Sequence, residues 1–239
     1  FDKVILAIGS CEAHGQHLAE GCDTIVSYEL SKQVADRVPG MLVLPPITVG
    51  YSGHYDTFPF TLTFDYETMI HVIYDIVESV LRNGINKIFL MNGHDGNIAP
   101  IEIAARKIKE KYPDARIASL PEWWVIAGKL VPEGTFAVWN GLGHAGEGET
   151  SIAYHLFPQW CEPDQATCVV PDHLPEHVDI KWDFAEITDT AQTGDATVAT
   201  AAKGKLMNDC LVEAVVKDIE ALEKTGWNYN TSHCATKLK

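Results

Sequence analysis

The sequence is poor in basic residues. It has 18 Lys and Arg against 33 Asp and Glu, which gives a formal net charge of −15. Nucleic acids and anionic membrane surfaces are bound mainly through Lys and Arg, so this charge argues against both as partners. The sequence also lacks any run of about 18 apolar residues that would predict a membrane span. No signal peptide is recognisable, and we expect a cytoplasmic protein.

Cysteine is too sparse to be the basis of the fold. The six cysteines include no C-x-x-C pair, so neither a thiolate zinc site nor a disulfide scaffold is indicated. The chain is 46% apolar, which is enough for a sizeable core. Its 239 residues fit one domain spanning residues 1–239.

Apolar patterning predicts alternating strands and helices. Strands are predicted at residues 4–8, 41–44, 87–91 and 115–120. Helices are predicted at 24–38, from an Asp65 cap to 81, and at 100–111, 147–157 and 196–224, with 158–193 rich in loops. This alternation indicates an α/β fold with three αβα layers and a mainly parallel central sheet.

Side chains that bind divalent metals are concentrated in three glycine-rich segments, residues 9–23, 92–97 and 143–150. The candidate ligands there are Glu12, His14, Asp23, His94 and Glu149. A mixture of histidine and carboxylate is what zinc and manganese prefer. The first two segments directly follow predicted strands, and α/β sheets bind ligands beyond the carboxyl ends of their strands. The sequence therefore predicts a metal-dependent enzyme.

Each candidate also has a structural explanation. Glu12 and His14 would point to the same side of an extended chain and could bind adjacent ions. Asp23 could bridge two cations or only cap a helix. His94 could be a ligand or a residue of the turn, and its place after a strand favours the ligand. Glu149 could bind metal or complement a helix dipole.

A charge count favours two metals. Glu12, Asp23 and Glu149 supply three negative charges, so two divalent cations leave +1, which a bridging hydroxide would neutralise. One metal with five such ligands would have no open position for substrate. Metal activation lowers the pKa of water from ~15.7 to roughly 7 and so provides a nucleophile.

Other residues near these segments have possible roles. His144 is the best acid/base candidate outside the ligand set. Asp95 and Glu147 are expected to orient a neighbouring ligand or loop. Trp in a soluble enzyme usually packs in a core or subunit contact. A pocket wall is the alternative for Trp123, Trp124 and Trp139, and it is favoured at Trp139, which lies five residues before His144. Cys11 could be a thiol nucleophile, or it could simply replace Ser or Thr.

Taken together, these motifs resemble those of the creatininase (creatinine amidohydrolase) family. The shared elements are G-S-C-E-A-H-G-Q-H at 9–17, Asp23, N-G-H-D-G-N at 92–97 and H-A-G-E-G-E-T at 144–150. The resemblance covers residues 4–223. It implies a three-layer α/β fold, two divalent metals (Zn, Mn or Fe), hydrolysis of cyclic or linear amides, and a homo-oligomer, often a hexamer.

The resemblance also implies roles for individual residues. It makes Glu12, His14, Asp23, His94 and Glu149 the ligands and places His144 beside the metals as a proton shuttle. Supporting positions are His17, Asn92 and Asn97. The loop that contains His54 and Tyr55 would contact the substrate.

Departures from the family pattern bear on the substrate. Creatininases carry a glutamate where this chain has Gly96, and a glycine is common where it has Phe60. The first departure argues against creatinine, and we expect Phe60 to narrow or reshape the pocket. The motif loops have few Arg or Lys, which gives little support for a phosphorylated substrate.

The predicted function is a hydrolase in which a metal-activated hydroxide attacks a carbonyl of a small cyclic or amide substrate. One alternative is hydrolysis of a C–C bond in a cyclic keto-inositol of inositol catabolism. Two others are a cysteine hydrolase that uses Cys11 and a non-catalytic protein that binds metal or a small molecule.

Overall fold

A four-stranded parallel sheet forms the centre of the fold. The computed structural model describes residues 1–172, 177 and 180–228. The strands are arranged in the order β2-β1-β3-β4, and their bounds are β1 Lys3–Ile8, β2 Met41–Val43, β3 Lys87–Asn92 and β4 Arg116–Leu120. The predicted parallel sheet is confirmed, and each predicted strand is found within one or two residues of its expected ends.

Helices cover both faces of this sheet. They are α1 Cys22–Arg37, α2 Tyr66–Arg82, α3 Ile98–Lys111, α4 Trp123–Leu130, α5 Glu147–Leu156 and α6 Ala201–Lys224. One apolar cluster joins the sheet to α1, α4, α5 and α6, and a second joins it to α2 and α3. The predicted three-layer αβα architecture is therefore present.

The two central strands are apolar and buried on both sides. In β1, Ile5 packs in the first cluster and Leu6 in the second. In β3, Phe89 and Leu90 divide between the clusters in the same way. Side chains alternate between the faces of a strand, so a strand covered on both faces needs an almost continuous apolar run. This requirement explains why both strands were recognisable from sequence.

The strand order creates a crevice between β1 and β3. The chain leaves β1 through α1, on one face, to reach β2 at the edge of the sheet. It then returns through α2, on the other face, to β3 on the opposite side of β1. Connections that diverge in this way leave a crevice at the carboxyl ends of the strands, where such folds bind ligands.

The structure differs from the sequence prediction in two helices. Helix α4 was not predicted. The long final helix begins at Ala201 instead of 196, because 196–198 form a separate 3₁₀ turn and Thr200 caps α6 through the backbone N–H of Lys203. Gly204 lies where α6 meets α5, since a Cβ there would approach the Ser151 carbonyl oxygen to 1.9 Å.

The segment predicted to be rich in loops contains little regular structure. It includes the two-residue strand β5 (Cys168–Val169), which pairs antiparallel with β6 (Gly194–Asp195). Residues 173–176 and 178–179 of this segment lie outside the described residues, as do the last eleven positions of the predicted single domain, 229–239.

Among the helices of the described part of the chain, none combines the length and apolarity needed to cross a bilayer.

The packing of α3 against the sheet gives a matched test of the core. Ile108 is fully buried and Ile103, on the same helix, is 41% exposed. Ile108→Ala should lower the free energy of unfolding by about 2–5 kcal/mol through lost burial and a cavity. Ile103→Ala, which makes the same change in helix propensity, should cost under about 1 kcal/mol. Urea unfolding measures both, and equal losses would contradict this assignment of the core.

Candidate metal centre

Four of the predicted ligands converge at the carboxyl edge of the sheet. Glu12 and His14 follow β1, Asp23 is the second residue of α1, and His94 follows β3. Their exposed fractions are 0%, 0%, 2% and 3%. Residues from three separate segments are thus buried together in the crevice between β1 and β3.

The donor atoms of this group lie within a few ångströms of one another. His14 Nε2 is 2.9 Å from Asp23 Oδ1, and His94 Nδ1 is 3.1 Å from both Glu12 Oε1 and Asp23 Oδ2. Nevertheless Glu12 Oε1, His14 Nε2 and Asp23 Oδ2 have no partner with hydrogen-bond geometry. Buried polar atoms are normally hydrogen-bonded. Their lone pairs face a shared space instead, which is the arrangement that a cation requires.

Backbone carbonyls orient the two histidine ligands. His14 Nδ1 lies 3.0 Å from the Glu12 carbonyl oxygen, and His94 Nε2 lies 2.7 Å from that of Tyr51. A carbonyl only accepts, so these nitrogens carry the hydrogens and donate them. His14 Nε2 and His94 Nδ1 are left with lone pairs toward the carboxylates, as in metal sites whose histidines are held through the second nitrogen.

The pKa shifts of the clustered side chains reflect their excess of buried negative charge. Burial opposes ionisation of Asp23, but the neighbouring His14 outweighs it, and the pKa of Asp23 falls below its ordinary value. Burial would likewise lower the pKa of His14, but Asp23 raises it to about 10. The pKa of His94 is raised well above its usual range, because Glu12 and Asp23 outweigh burial. A divalent cation would supply the charge that these protons provide.

His144 also faces this group. Its Nε2–H donates to the Ala13 carbonyl oxygen at 2.7 Å, and its Nδ1 is 3.9 Å from Glu12 Oε1. Burial, with the nearby positive charge of His14, lowers the pKa of His144 to about 3. The imidazole is therefore neutral near pH 7, with the Nδ1 lone pair free to accept a proton or bind a cation.

Glu149 lies at the edge of the donor group. Its Oε2 accepts a hydrogen bond from the backbone N–H of Ala145 at 2.7 Å, and burial raises the pKa of its carboxyl group. Within the described residues, three sets have ligand atoms all within 4.8 Å of one another: Glu12–Asp23–His94, Glu12–His14–His144 and His14–Cys22–Asp23. Glu149 belongs to none of them, although it lines the same cavity.

The two cysteines near the site differ in position. Cys22, which was not predicted as a ligand, lies within ligand distance of His14 and Asp23, but burial raises its pKa well above the ordinary value. It also packs in the apolar cluster beside α1. Cys11 is outside the cavity lining, and burial together with Glu20 raises its pKa. A nucleophilic cysteine needs a lowered pKa, so the chemistry of neither thiol favours this role.

A cavity of about 310 Å³ opens above the donor atoms. Its walls include Tyr55, Trp124, Leu142 and Phe184. Tyr55 was predicted to contact the substrate, and a pocket wall was the alternative role for Trp124, whereas Phe184 was not assigned to the pocket. Trp124 and Phe184 come from α4 and a 3₁₀ turn far from the motifs, and no local sequence signal identifies them as pocket residues.

The other predicted pocket residues lie farther from the cavity. His54 does not line it, but its ring stacks 5.8 Å from that of His94. Trp139 does not line it either and is 39% exposed. The expectation that Phe60 narrows the pocket is wrong, because its side chain is 83% exposed. The φ of Phe60 is +58°, a conformation that glycine adopts at no steric cost.

Three polar residues hold the loops that carry the ligands. His17 Nε2 donates to the Thr150 hydroxyl oxygen at 2.9 Å. Asn92 donates to the His94 carbonyl oxygen and accepts from its backbone N–H. Asn97 donates to the Gly9 carbonyl oxygen and accepts from the Tyr51 backbone N–H. The contacts of His17 and Asn97 join segments distant in sequence, and those of Asn92 hold the turn that carries His94.

The two acidic neighbours of the ligands are placed differently. Glu147 is fully buried, with one carboxylate oxygen paired to Lys203 and the other accepting from the Ala137 backbone N–H. It therefore joins α6 to the loop before His144. Asp95 is exposed and forms no side-chain hydrogen bond to His94, which Tyr51 orients instead.

Close backbone approach explains two glycines. A Cβ on Gly93 would lie 2.3 Å from the Asp23 carbonyl oxygen. A Cβ on Gly96 would lie 2.1 Å from the Tyr51 carbonyl oxygen and 2.6 Å from His94 Nε2. The carbonyl that orients His94 thus occupies the space that a side chain at position 96 would need, so a glutamate does not fit this backbone.

The fold and the cluster define an α/β protein with a candidate metal centre at the carboxyl edge of its sheet. The profile of the family described as "Creatininase: Creatinine amidohydrolase" matches residues 1–219. The chain belongs to the creatininase family, as its motifs had indicated.

Relatives of known name are divergent. The chain is 28% identical to a creatinine amidohydrolase of Pseudomonas putida over 90% of this chain and 88% of that protein. It is 26% identical to a mycofactocin precursor peptide peptidase of Mycobacterium ulcerans (strain Agy99), over 87% and 83% of the two chains. The identities are of similar size, so they favour neither substrate.

Solved structures show the same fold. A structure described as "Creatininase Mn" is 28% identical and superposes with a TM-score of 0.77 over 92% of this chain and 91% of that chain. A mutant creatininase described as "Zn-Zn type" is 28% identical and gives a TM-score of 0.77 over 92% and 90%. A putative creatinine amidohydrolase from Bacteroides fragilis NCTC 9343 is 24% identical, with a TM-score of 0.82 over 96% and 91%.

The Glu147–Lys203 pair supports the loop before His144, and its loss should be measurable. Lys203→Met leaves the buried Glu147 carboxylate without a cation and should lower the free energy of unfolding by about 2–3 kcal/mol. This is below the full cost for a buried pair because the Lys203 side chain is 26% exposed. Urea unfolding measures the loss.

A surface pair on the same helix provides the control. Lys205 and Asp209 form an i,i+4 pair in which both side chains are more than half exposed. Lys205→Met should therefore cost less than about 1 kcal/mol. If Lys203→Met and Lys205→Met lowered the free energy of unfolding equally, Lys203 would not be the counter-charge that stabilises the Glu147 carboxylate. Adding Glu147→Gln to Lys203→Met should recover part of the loss.

Proposed function

We propose that the protein is a metal-dependent hydrolase that cleaves a C–N bond in a small cyclic or amide substrate and uses two divalent metal ions. The observation that carries this proposal is the convergence of Glu12, His14, Asp23 and His94 below a cavity, with unpartnered atoms on the first three. The names of relatives agree with it, since one is an amidohydrolase and others are peptidases.

The arrangement of Asp23 supports two ions. One of its oxygens is beside His14 Nε2 and the other is beside His94 Nδ1. Glu12 joins the His94 side, while His144 and Glu149 line the cavity around the same group. Asp23 would thus help to hold cations together with either histidine, and the donor charges of Glu12, Asp23 and Glu149 would leave +1 for two divalent cations. Solved relatives described as Mn and Zn-Zn forms are consistent with manganese or zinc.

When bound at these donors, divalent cations lower the pKa of a water molecule and polarise a substrate carbonyl. The remaining chemistry belongs to the side chains. His144 is neutral, and its Nδ1 accepts the proton released from the attacking water. It then donates that proton to the departing nitrogen. The Ala13 carbonyl keeps the ring in the required tautomer throughout.

The cavity walls restrict the substrate. Tyr55, Trp124 and Phe184 exclude water from part of the cavity and offer flat apolar surface to a small ring or chain. No Lys or Arg among the described residues lines the cavity. A phosphorylated substrate would therefore have no cationic side chain to bind its phosphate.

Asp23 provides the sharpest test of the metal centre. Asp23→Asn keeps the shape of the side chain but removes one of the three negative charges that would offset two cations. We expect metal content, measured by elemental analysis after purification with Mn²⁺ or Zn²⁺, to fall well below that of the wild type. Hydrolase activity, screened over cyclic amides, formamides, short peptides and inositol-derived diketones, should fall at least about 100-fold.

The control for this variant is Asp164→Asn, which removes the same charge from an exposed turn outside the cavity lining. It should retain metal and activity. An Asp23→Asn protein that is fully active without metal would refute the proposal. If the protein hydrolysed only the diketones, the reaction would be C–C ring opening instead of the proposed C–N cleavage.

His144 can be tested separately from metal binding. His144→Gln can still donate a hydrogen bond to the Ala13 carbonyl oxygen but cannot carry a proton. We expect kcat to fall by about 10²–10⁴, with KM and metal content close to wild type. His155→Gln, at the far end of α5, is the matched control. An unchanged kcat would remove the assigned role, and loss of metal would make His144 a ligand instead.

A further inference from the structure

We propose that Asp95 determines specificity by binding a cationic group of the substrate at the mouth of the cavity. This inference rests on the proposed function, because it concerns the substrate of the same centre. It assigns to Asp95 a direct contact with substrate, in place of the supporting role expected from its position next to His94.

The surroundings of Asp95 leave its carboxylate open to the cavity, where its charge also acts on His54 and Tyr66. Asp95 lines the cavity and is exposed. In the part of the chain that the structure describes, its side chain accepts no hydrogen bond and forms no ion pair. It also belongs to none of the groups of converging donor atoms. The carboxylate is therefore available to a molecule in the cavity.

The charge balance of the cavity indicates what the Asp95 carboxylate would bind. Among the described residues, four carboxylates line the cavity, those of Glu12, Asp23, Asp95 and Glu149. Two divalent cations and one hydroxide would offset the three that belong to the centre. Within this described lining the charge of Asp95 alone would remain, and no Lys or Arg there opposes it. A substrate with a positive group beyond its scissile carbonyl would complete the balance.

The aromatic side chains that line the cavity are suited to a positively charged group of the substrate. Trp124 and Phe184 line the same cavity as Asp95. Aromatic faces attract ammonium and guanidinium groups, and an ionised carboxylate binds them through short, charge-assisted hydrogen bonds. The substrate class indicated is thus an amide, linear or cyclic, that carries an amine on the side away from the metals. An anionic tail at this place would be repelled.

Matched hydroxamates test this without the natural substrate. ω-Aminoalkanohydroxamates with two to five methylenes and the alkanohydroxamates of equal length share the metal-binding group and differ in the terminal charge. Their Kd values for the protein loaded with Zn²⁺ or Mn²⁺ are measured by calorimetry at low salt. For at least one chain length, we expect the cationic compound to bind about tenfold more tightly.

Variants then attribute the preference to one residue. Asp95→Asn should abolish the preference while it leaves metal content and the Kd of the neutral compounds unchanged. Asp56→Asn, which removes a charge from an exposed loop residue outside the cavity lining, should keep it.

The outcomes separate this inference from the proposed function. If both kinds of hydroxamate bind equally at every length, or if Asp95→Asn keeps the preference, the role of Asp95 is refuted while the metal centre stands. If no hydroxamate binds the protein and elemental analysis finds no metal, the proposed function and this inference fail together.

Discussion

Buried negative charge is the constraint that organises this molecule. Glu12 and Asp23 lie side by side with almost no exposed surface. An ionised carboxylate is costly to bury without a counter-charge, and two together are more so. The arrangement of the surrounding groups reflects this buried negative charge. Two histidines aim their free nitrogens at the carboxylates, backbone carbonyls hold the opposite nitrogens, and several donor atoms remain without hydrogen-bond partners. A pair of cations would resolve all of these features at once.

The fold makes this concentration of charge possible because it places the charge at the edge of a rigid sheet. Strands β1 and β3 are neighbours in register, with Ile8 opposite Asn92, so the loops that follow them begin side by side. Gly93 allows its loop to approach Asp23 closely enough for His94 to reach the same point. The apolar clusters on both faces of the sheet hold these starting points in place. Precision at the site therefore comes from packing that is remote from it.

The floor and the walls of the cavity come from different parts of the chain. The floor consists of the motif residues of this chain, whose named relatives include an amidohydrolase and peptidases. The walls come from α4 and from the turn at Phe184, and their outer part includes Asp95. One floor can thus serve several substrates, since a metal centre acts on a carbonyl and the walls decide what surrounds that carbonyl. At Gly96 the floor leaves no room for a longer side chain, because the Tyr51 carbonyl fills the space that it would need.

The sequence by itself determined the layers, the parallel sheet, the family and four donor residues that converge. Continuous apolar strands, capped helices and ligand motifs placed after strands are local patterns, and their physical causes act over a few residues. Only the tertiary structure decided which residues meet. It revealed Trp124 and Phe184 as walls, excluded Trp139 and Phe60, and separated Glu149 from the closest donors. It also placed the Asp95 carboxylate in the cavity lining without a hydrogen bond to His94. These outcomes depend on contacts between residues far apart in sequence and on backbone angles such as the positive φ of Phe60, which the residue types alone do not specify.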